Sequence, residues 1–177
     1  MATTLTASVS AKVGWNFENV LDWGNALNSA TFSYTKSLAS GTAASQVDVL
    51  YVAQGTIAAS TNLDLDLAAS LEDMFGNTIT FARVKTIYVE LTTDTTSTGL
   101  WVGGASSNGF ANWISSAGTF GTDQPRVKVR NGGAFFLSAP DATAYAVTAG
   151  TGDILRLTNA DGSNVATYKL AVTGASA

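Results

Sequence analysis

The residues with the means to do chemistry are few, and none is spaced to use them. Asp64 and Asp66 stand two apart in LDLDL, so an extended strand points both carboxylates to one face. Such a pair could share a cation or serve a glycosidase, but a solvated strand face produces the same pattern. Glu72 and Asp73 lie beside the Gly76-Asn77 turn, where a hard cation would need more oxygen ligands than the neighbourhood supplies. Asn159-Ala-Asp161-Gly-Ser163 has the opening rhythm of a calcium loop, yet its twelfth position is Leu170 rather than a bidentate glutamate. Gly150-x-Gly152 lacks the third glycine and the following helix of a dinucleotide fingerprint. Gly104-Ala-Ser106 lacks the last glycine of a nucleophile elbow.

The chain also contains no histidine and no cysteine. The commonest general base, the usual transition-metal ligand, thiolate sites and disulfides are therefore all excluded. No catalytic residue, cofactor or metal site is expected, and the protein reads as a non-enzyme. One group of side chains remains. Trp101, Phe110, Trp113 and Phe120 cluster around the Gly/Ser-rich stretch 103–121, and together they form the candidate contact surface. Exposed, they would suit stacking on carbohydrate rings. Buried, they would fill one end of a core or a subunit contact. Because loops carry function more often than the elements they join, this stretch is where a site is sought.

Charged residues make up 12% of the chain, about half the usual share of roughly 25%. The formal charge is −4. Arg126, Lys128 and Arg130 alternate on one strand face and read as solvated, so no nucleic-acid partner is expected. No run approaches the ~18 apolar residues of a membrane helix. The opening MATTLTASVSAK lacks the cationic region and apolar core of a signal peptide.

Periodicity of two organises the rest. Leu5, Ala7, Val9, Ala11, Val13, Trp15 and Phe17 alternate with polar residues and glycine, predicting a long half-buried strand. Its length suggests an extension beyond its own sheet, with residues 1–20 used in subunit contacts. Val20 to Asn28 reads as a connection and Thr31 to Leu38 as the next strand. Further strands are expected over 46–53 and 63–67. Lys85 to Thr93 looks like the central strand of the fold, entered through the Gly76-Asn77 turn and one helical turn capped by Thr78. Arg126–Arg130 and Ala134–Leu137 flank Asn131-Gly132-Gly133 as a hairpin. Ile154–Thr158 and Val165–Thr173 flank Asn159–Ser163 as another. About nine or ten short strands, with no helical stripe, predict a single all-β domain over 1–177. The leading architecture is an antiparallel β-sandwich, jelly-roll-like, with an immunoglobulin-like sandwich as the alternative.

Two segments carry a resemblance: LEDMFGNTITFARVKTIYVELTT at 71–93 and GGAFFLSAPDATAYAVTAGTGDILRLTNADG at 132–162. With LDLDLA at 63–68 and the tail VATYKLAVTGAS, they resemble small proteins encoded among the structural genes of tailed bacteriophages. Residues 1–60 lie outside the likeness. The resemblance implies a virion protein, most often a capsid decoration (cement) protein on the capsid surface, made in the host cytoplasm. Its partners would be the major capsid protein or other virion proteins, and it would form a homo-oligomer, a trimer at threefold points. The alternative it implies is a carbohydrate-binding or host-recognition module of a tail or fibre. No membrane partner is implied.

Overall fold

Strands form wherever apolar and polar residues alternate. In the computed structural model, which describes residues 4–69, 71–92, 99–114 and 125–177, every regular element is a strand. In chain order these are β1 (Ala7–Leu21), β2 (Gly24–Ser40), β3 (Gln46–Val47), β4 (Val49–Ile57), β5 (Thr61–Asp66), β6 (Leu71–Glu72) and β7 (Thr78–Ile79). They continue as β8 (Arg83–Leu91), β9 (Leu100–Gly103), β10 (Arg126–Val129), β11 (Ala134–Ser138), β12 (Tyr145–Ala146), β13 (Ile154–Asn159) and β14 (Ala166–Ala175).

Two antiparallel sheets make the body. One has the order β11-β8-β14-β4, with β12 also paired to β8; the other has the order β10-β9-β13-β5. The partnerships are nested: β4 pairs β14, β5 pairs β13, β8 pairs β11 and β9 pairs β10. The outermost strands in sequence pair with each other, then the next pair inward, down to the β9–β10 hairpin. Each of the other links between these strands passes from one sheet to the other. The all-β sandwich is as expected, and this nested order, a ribbon folded back on itself and rolled into two layers, is that of a jelly roll rather than of the immunoglobulin-like alternative.

The inner faces meet in a core of Leu65, Val84, Ile87, Val89, Leu91, Val102, Leu155, Leu157, Leu170 and Val172, all buried. The strand expected over 85–93 is observed as β8, Arg83–Leu91, and is central as expected, lying between β11 and β14; Thr93 lies outside the described residues. A register shift at Thr173/Gly174 bends β14 beside β8. A Cβ at Gly174 would overlap the carbonyl oxygen of Arg83, so a side chain there forces the two backbones apart.

Two expected hairpins are corners instead. β10 and β11 flank Asn131-Gly132-Gly133 but lie in different sheets, and so do β13 and β14. Turn residues specify a reversal of direction, not the partner that follows it. The second corner is built by Asn159, which is fully buried. Its amide donates to the carbonyls of Ile57, Ala58 and Asn164 at 3.0, 3.1 and 2.8 Å. Asp161 accepts from the backbone of Ser163 and Asn164. The calcium-like rhythm is thus the signature of a satisfied corner. The helical turn expected after Thr78 is also absent. Thr78 pairs with Glu72 in β7, and Phe81 is drawn into the core with its N–H on Leu67.

The long first strand is real, but Val20–Asn28 is not a connection. β1 and β2 pair continuously from Ala7↔Leu38 to Leu21↔Gly24, leaving only Asp22 and Trp23 as the turn. Gly24 has φ +136°, a value that favours glycine. This hairpin leaves the body as an arm.

Candidate functional site

The alternation that predicts a half-buried strand in 5–17 is present on both strands of the arm. One face carries Ala11, Val13, Trp15 and Phe17 of β1 beside Tyr34, Phe32 and Ala30 of β2. The other carries Ser10, Lys12, Asn16 and Glu18 beside Thr35, Ser33, Ser29 and Leu27, with Val20 next toward the tip. Nothing in the described chain covers the apolar face: Val13 is 67% exposed, Phe17 70% and Phe32 75%. Trp23 at the tip is fully exposed. From Val13 to Leu21 the arm extends about 26 Å at ~3.3 Å per residue.

The arm is stiffened and anchored. Trp15 meets Phe32 edge-on at a centroid distance of 5.0 Å, and its indole N–H donates to Asn28 Oδ1 at 2.7 Å. At the root, Val9, Leu38 and Val47 are buried together against Phe136 of β11. Tyr34 packs edge-on to Phe136 at 6.4 Å, and its hydroxyl lies 3.1 Å from Ser138 Oγ. β2 then pairs in parallel with β3. Lys85, fully buried on β8, donates its ammonium to the Ala43 carbonyl just beyond β2. Ser45 N–H donates to Pro140 O at 2.6 Å.

Of the four aromatics singled out from sequence, the three described lie elsewhere and are already engaged. Phe110 is 1% exposed and belongs to the core, so it offers no contact surface. Trp113 is half-buried on the same core, tilted over Phe135 at 5.2 Å, with its N–H on Phe110 O at 3.0 Å. Trp101 is half-buried on β9, with Arg126 and Lys128 over its ring at 4.6 and 5.1 Å. Phe120 lies outside the described residues. Two of the three alternating cations, Arg126 and Lys128, thus cover an aromatic ring.

The carboxylates are likewise occupied. Asp64 receives both Nε and Nη2 of Arg156 at 2.6 Å, and Asp66 accepts from Ala68 N–H at 2.9 Å. Asp73 accepts from the backbone of Phe75 and Asn77, closing its own turn. Among the described residues, no three metal-capable side chains gather. A second apolar patch lies at that turn, where Met74 and Phe75 are 70% and 71% exposed.

These partners set the response to pH. The Arg156 hydrogen bond holds Asp64 below the ordinary carboxylate range. The Asn77 side chain does the same for Asp73, the Tyr88 hydroxyl for Glu90, and the Ala144 backbone for Asp141. Folded values below unfolded ones stabilise above the ordinary range, and that stabilisation is lost as pH falls through the depressed values. Lys85 has the same sign with pH but a different origin, a burial cost rather than a favourable partner. Burial, then the charge of Arg83, lowers its pKa, so its contribution becomes more favourable as pH rises toward the ordinary lysine value. With no histidine to titrate, denaturant midpoints should be flat from about pH 5.5 to 7.5 and fall below about pH 4. A step near pH 6.5 in urea titrations would contradict this assignment.

No family model matches the chain, nor does any curated protein or any solved structure. The strand order is therefore what ties it to known architecture, and function has to be argued from the surfaces.

Proposed function

We propose that this chain is a non-enzymatic virion structural protein of a tailed bacteriophage. In this reading it is a decoration (cement) protein that binds the assembled head on its outer surface after synthesis in the host cytoplasm. The observation that carries the reading is the arm: a stiff two-stranded ribbon, apolar on one side and uncovered. A lone hairpin is marginal in water, so an arm of this length with one greasy face is an element awaiting a partner. The resemblance of segments 71–93 and 132–162 to phage structural proteins supplies the setting.

The body suits the role. Two sheets around one core make a rigid block, and Asp64, Asp66, Asp73, Trp101, Phe110 and Trp113 are engaged within it. A protein of this kind works by burying area across joints between coat subunits. A standard interface buries roughly 1,200–2,000 Å², and repetition at every joint turns modest contacts into mechanical resistance. The coat's major capsid protein is the expected partner, with the bodies closing into a ring, a trimer, at threefold points. The carbohydrate reading has less support, because Trp101 lies beneath two cations and Trp113 leans on the core.

Mass spectrometry of purified virions tests this. The chain should be found in many copies per particle, in constant ratio to the major capsid protein. Its absence from virions that assemble in its presence would overturn the proposal.

A further inference from the structure

We propose that two copies of this chain join through their arms, β1 against β1, antiparallel about a twofold axis at Trp15. The argument starts at the edge of the ribbon. Among the described residues β1 pairs with β2 alone, so its outer edge presents unpaired backbone donors and acceptors. Such an edge templates another strand unless charges, proline or a bulge defend it. From Val13 to Phe17 there is no charge and no proline, and the β1–β2 register is unbroken.

The charges of β1 select the register. It has two, Lys12 and Glu18, placed symmetrically three residues on either side of Trp15. If Trp15 faces the partner subunit's Trp15, then Lys12 faces the partner subunit's Glu18, and Glu18 faces the partner subunit's Lys12. Val13 faces the partner subunit's Phe17. Opposite charges across a pair stabilise and like charges destabilise by comparable amounts. A shift by two residues loses both ion pairs, and a parallel pairing sets Lys12 beside its own copy. Glu18 already accepts from the Asn25 amide across the hairpin, which holds its carboxylate on the polar face.

A twofold normal to the sheet keeps the faces in register. Val13, Trp15, Phe17, Ala30 and Phe32 of both copies then form one apolar surface four strands wide, with the ion pairs on the opposite side. Three or more strands are what a small sheet needs to hold its shape in water. The pairing engages arms only and leaves the bodies free for other contacts.

The absence of cysteine makes the register directly measurable. Oxidised Trp15→Cys protein should form a covalent dimer by itself. Ala11→Cys and Asn19→Cys should each form no covalent dimer on oxidation, because like positions then lie about 26 Å apart at ~3.3 Å per residue. Mixed, they should cross-link, since directly opposed Cα atoms lie about 4.5–5.5 Å apart, within disulfide reach. Lys12→Glu should weaken the dimer about tenfold in sedimentation, and adding Glu18→Lys should restore it. Cross-linking of Ala11→Cys alone as strongly as the mixture, no cross-link in the mixture, or no rescue by the charge swap would each overturn the pairing. These measurements use the free protein and stand whether or not it binds a phage head.

Discussion

Changing Val13, Phe17 and Phe32 together to threonine should leave thermal unfolding of the protein nearly unchanged and abolish its attachment to the head. All three side chains are already mostly in water, at 67%, 70% and 75% exposure, so the isolated chain has little burial to lose. Threonine keeps the strand preference of the ribbon while removing its apolar bulk. In the attached state the same side chains would be covered. Full burial of a valine or phenylalanine contributes roughly 1.5–3 kcal/mol each. Losing most of that at three positions amounts to on the order of 5 kcal/mol, or between three and four orders of magnitude in Kd. Co-sedimentation of purified variant with undecorated heads reads this out. Attachment at wild-type strength would remove the arm from the contact.

Ile87→Ala should do the reverse. Ile87 is fully buried at the middle of β8, facing Leu137 on one side and Val172 on the other. Truncating such a residue forfeits its transfer free energy and leaves a cavity, costing roughly 2–5 kcal/mol. For a domain of this size that lowers Tm by about 5–15 °C. The residue lies inside the sandwich and far along the chain from the arm, so the folded fraction should still attach. Calorimetry gives the first number and co-sedimentation below Tm the second. A loss under about 1 kcal/mol would mean that the two inner faces do not meet as described. The two experiments together separate the scaffold from the element it carries.

The contrast between these sites explains what the sequence could and could not convey. Alternation identified β1, β5 and the central β8, because period two is a direct image of a one-sided strand. The same alternation in Val13, Trp15 and Phe17 says that a face requires cover, but does not say whose surface provides it. In β8 the cover is the other sheet; in the arm no described residue supplies it. The tip of the hairpin escaped notice because both its faces are in water. With no inside and outside to distinguish, Gly24, Asn25 and Asn28 look like loop residues even while they pair. Asn131-Gly132-Gly133 and Asn159–Ser163 were legible as turns but not as corners between sheets. Pairing there is decided by the nested order of distant strands, such as β4 with β14. Phe110 and Trp113 stood out by composition near glycine and serine. Their engagement with Phe135 and the core depends on β11, which is remote in sequence.

The central claim is that the uncovered face of the arm is covered in a particle. Electron cryo-microscopy of the virion tests it most directly. The account predicts density for the jelly-roll body on the outside of the head, with Val13, Phe17 and Phe32 lying against coat protein. A particle in which the body is seated but these three side chains still face solvent would contradict it.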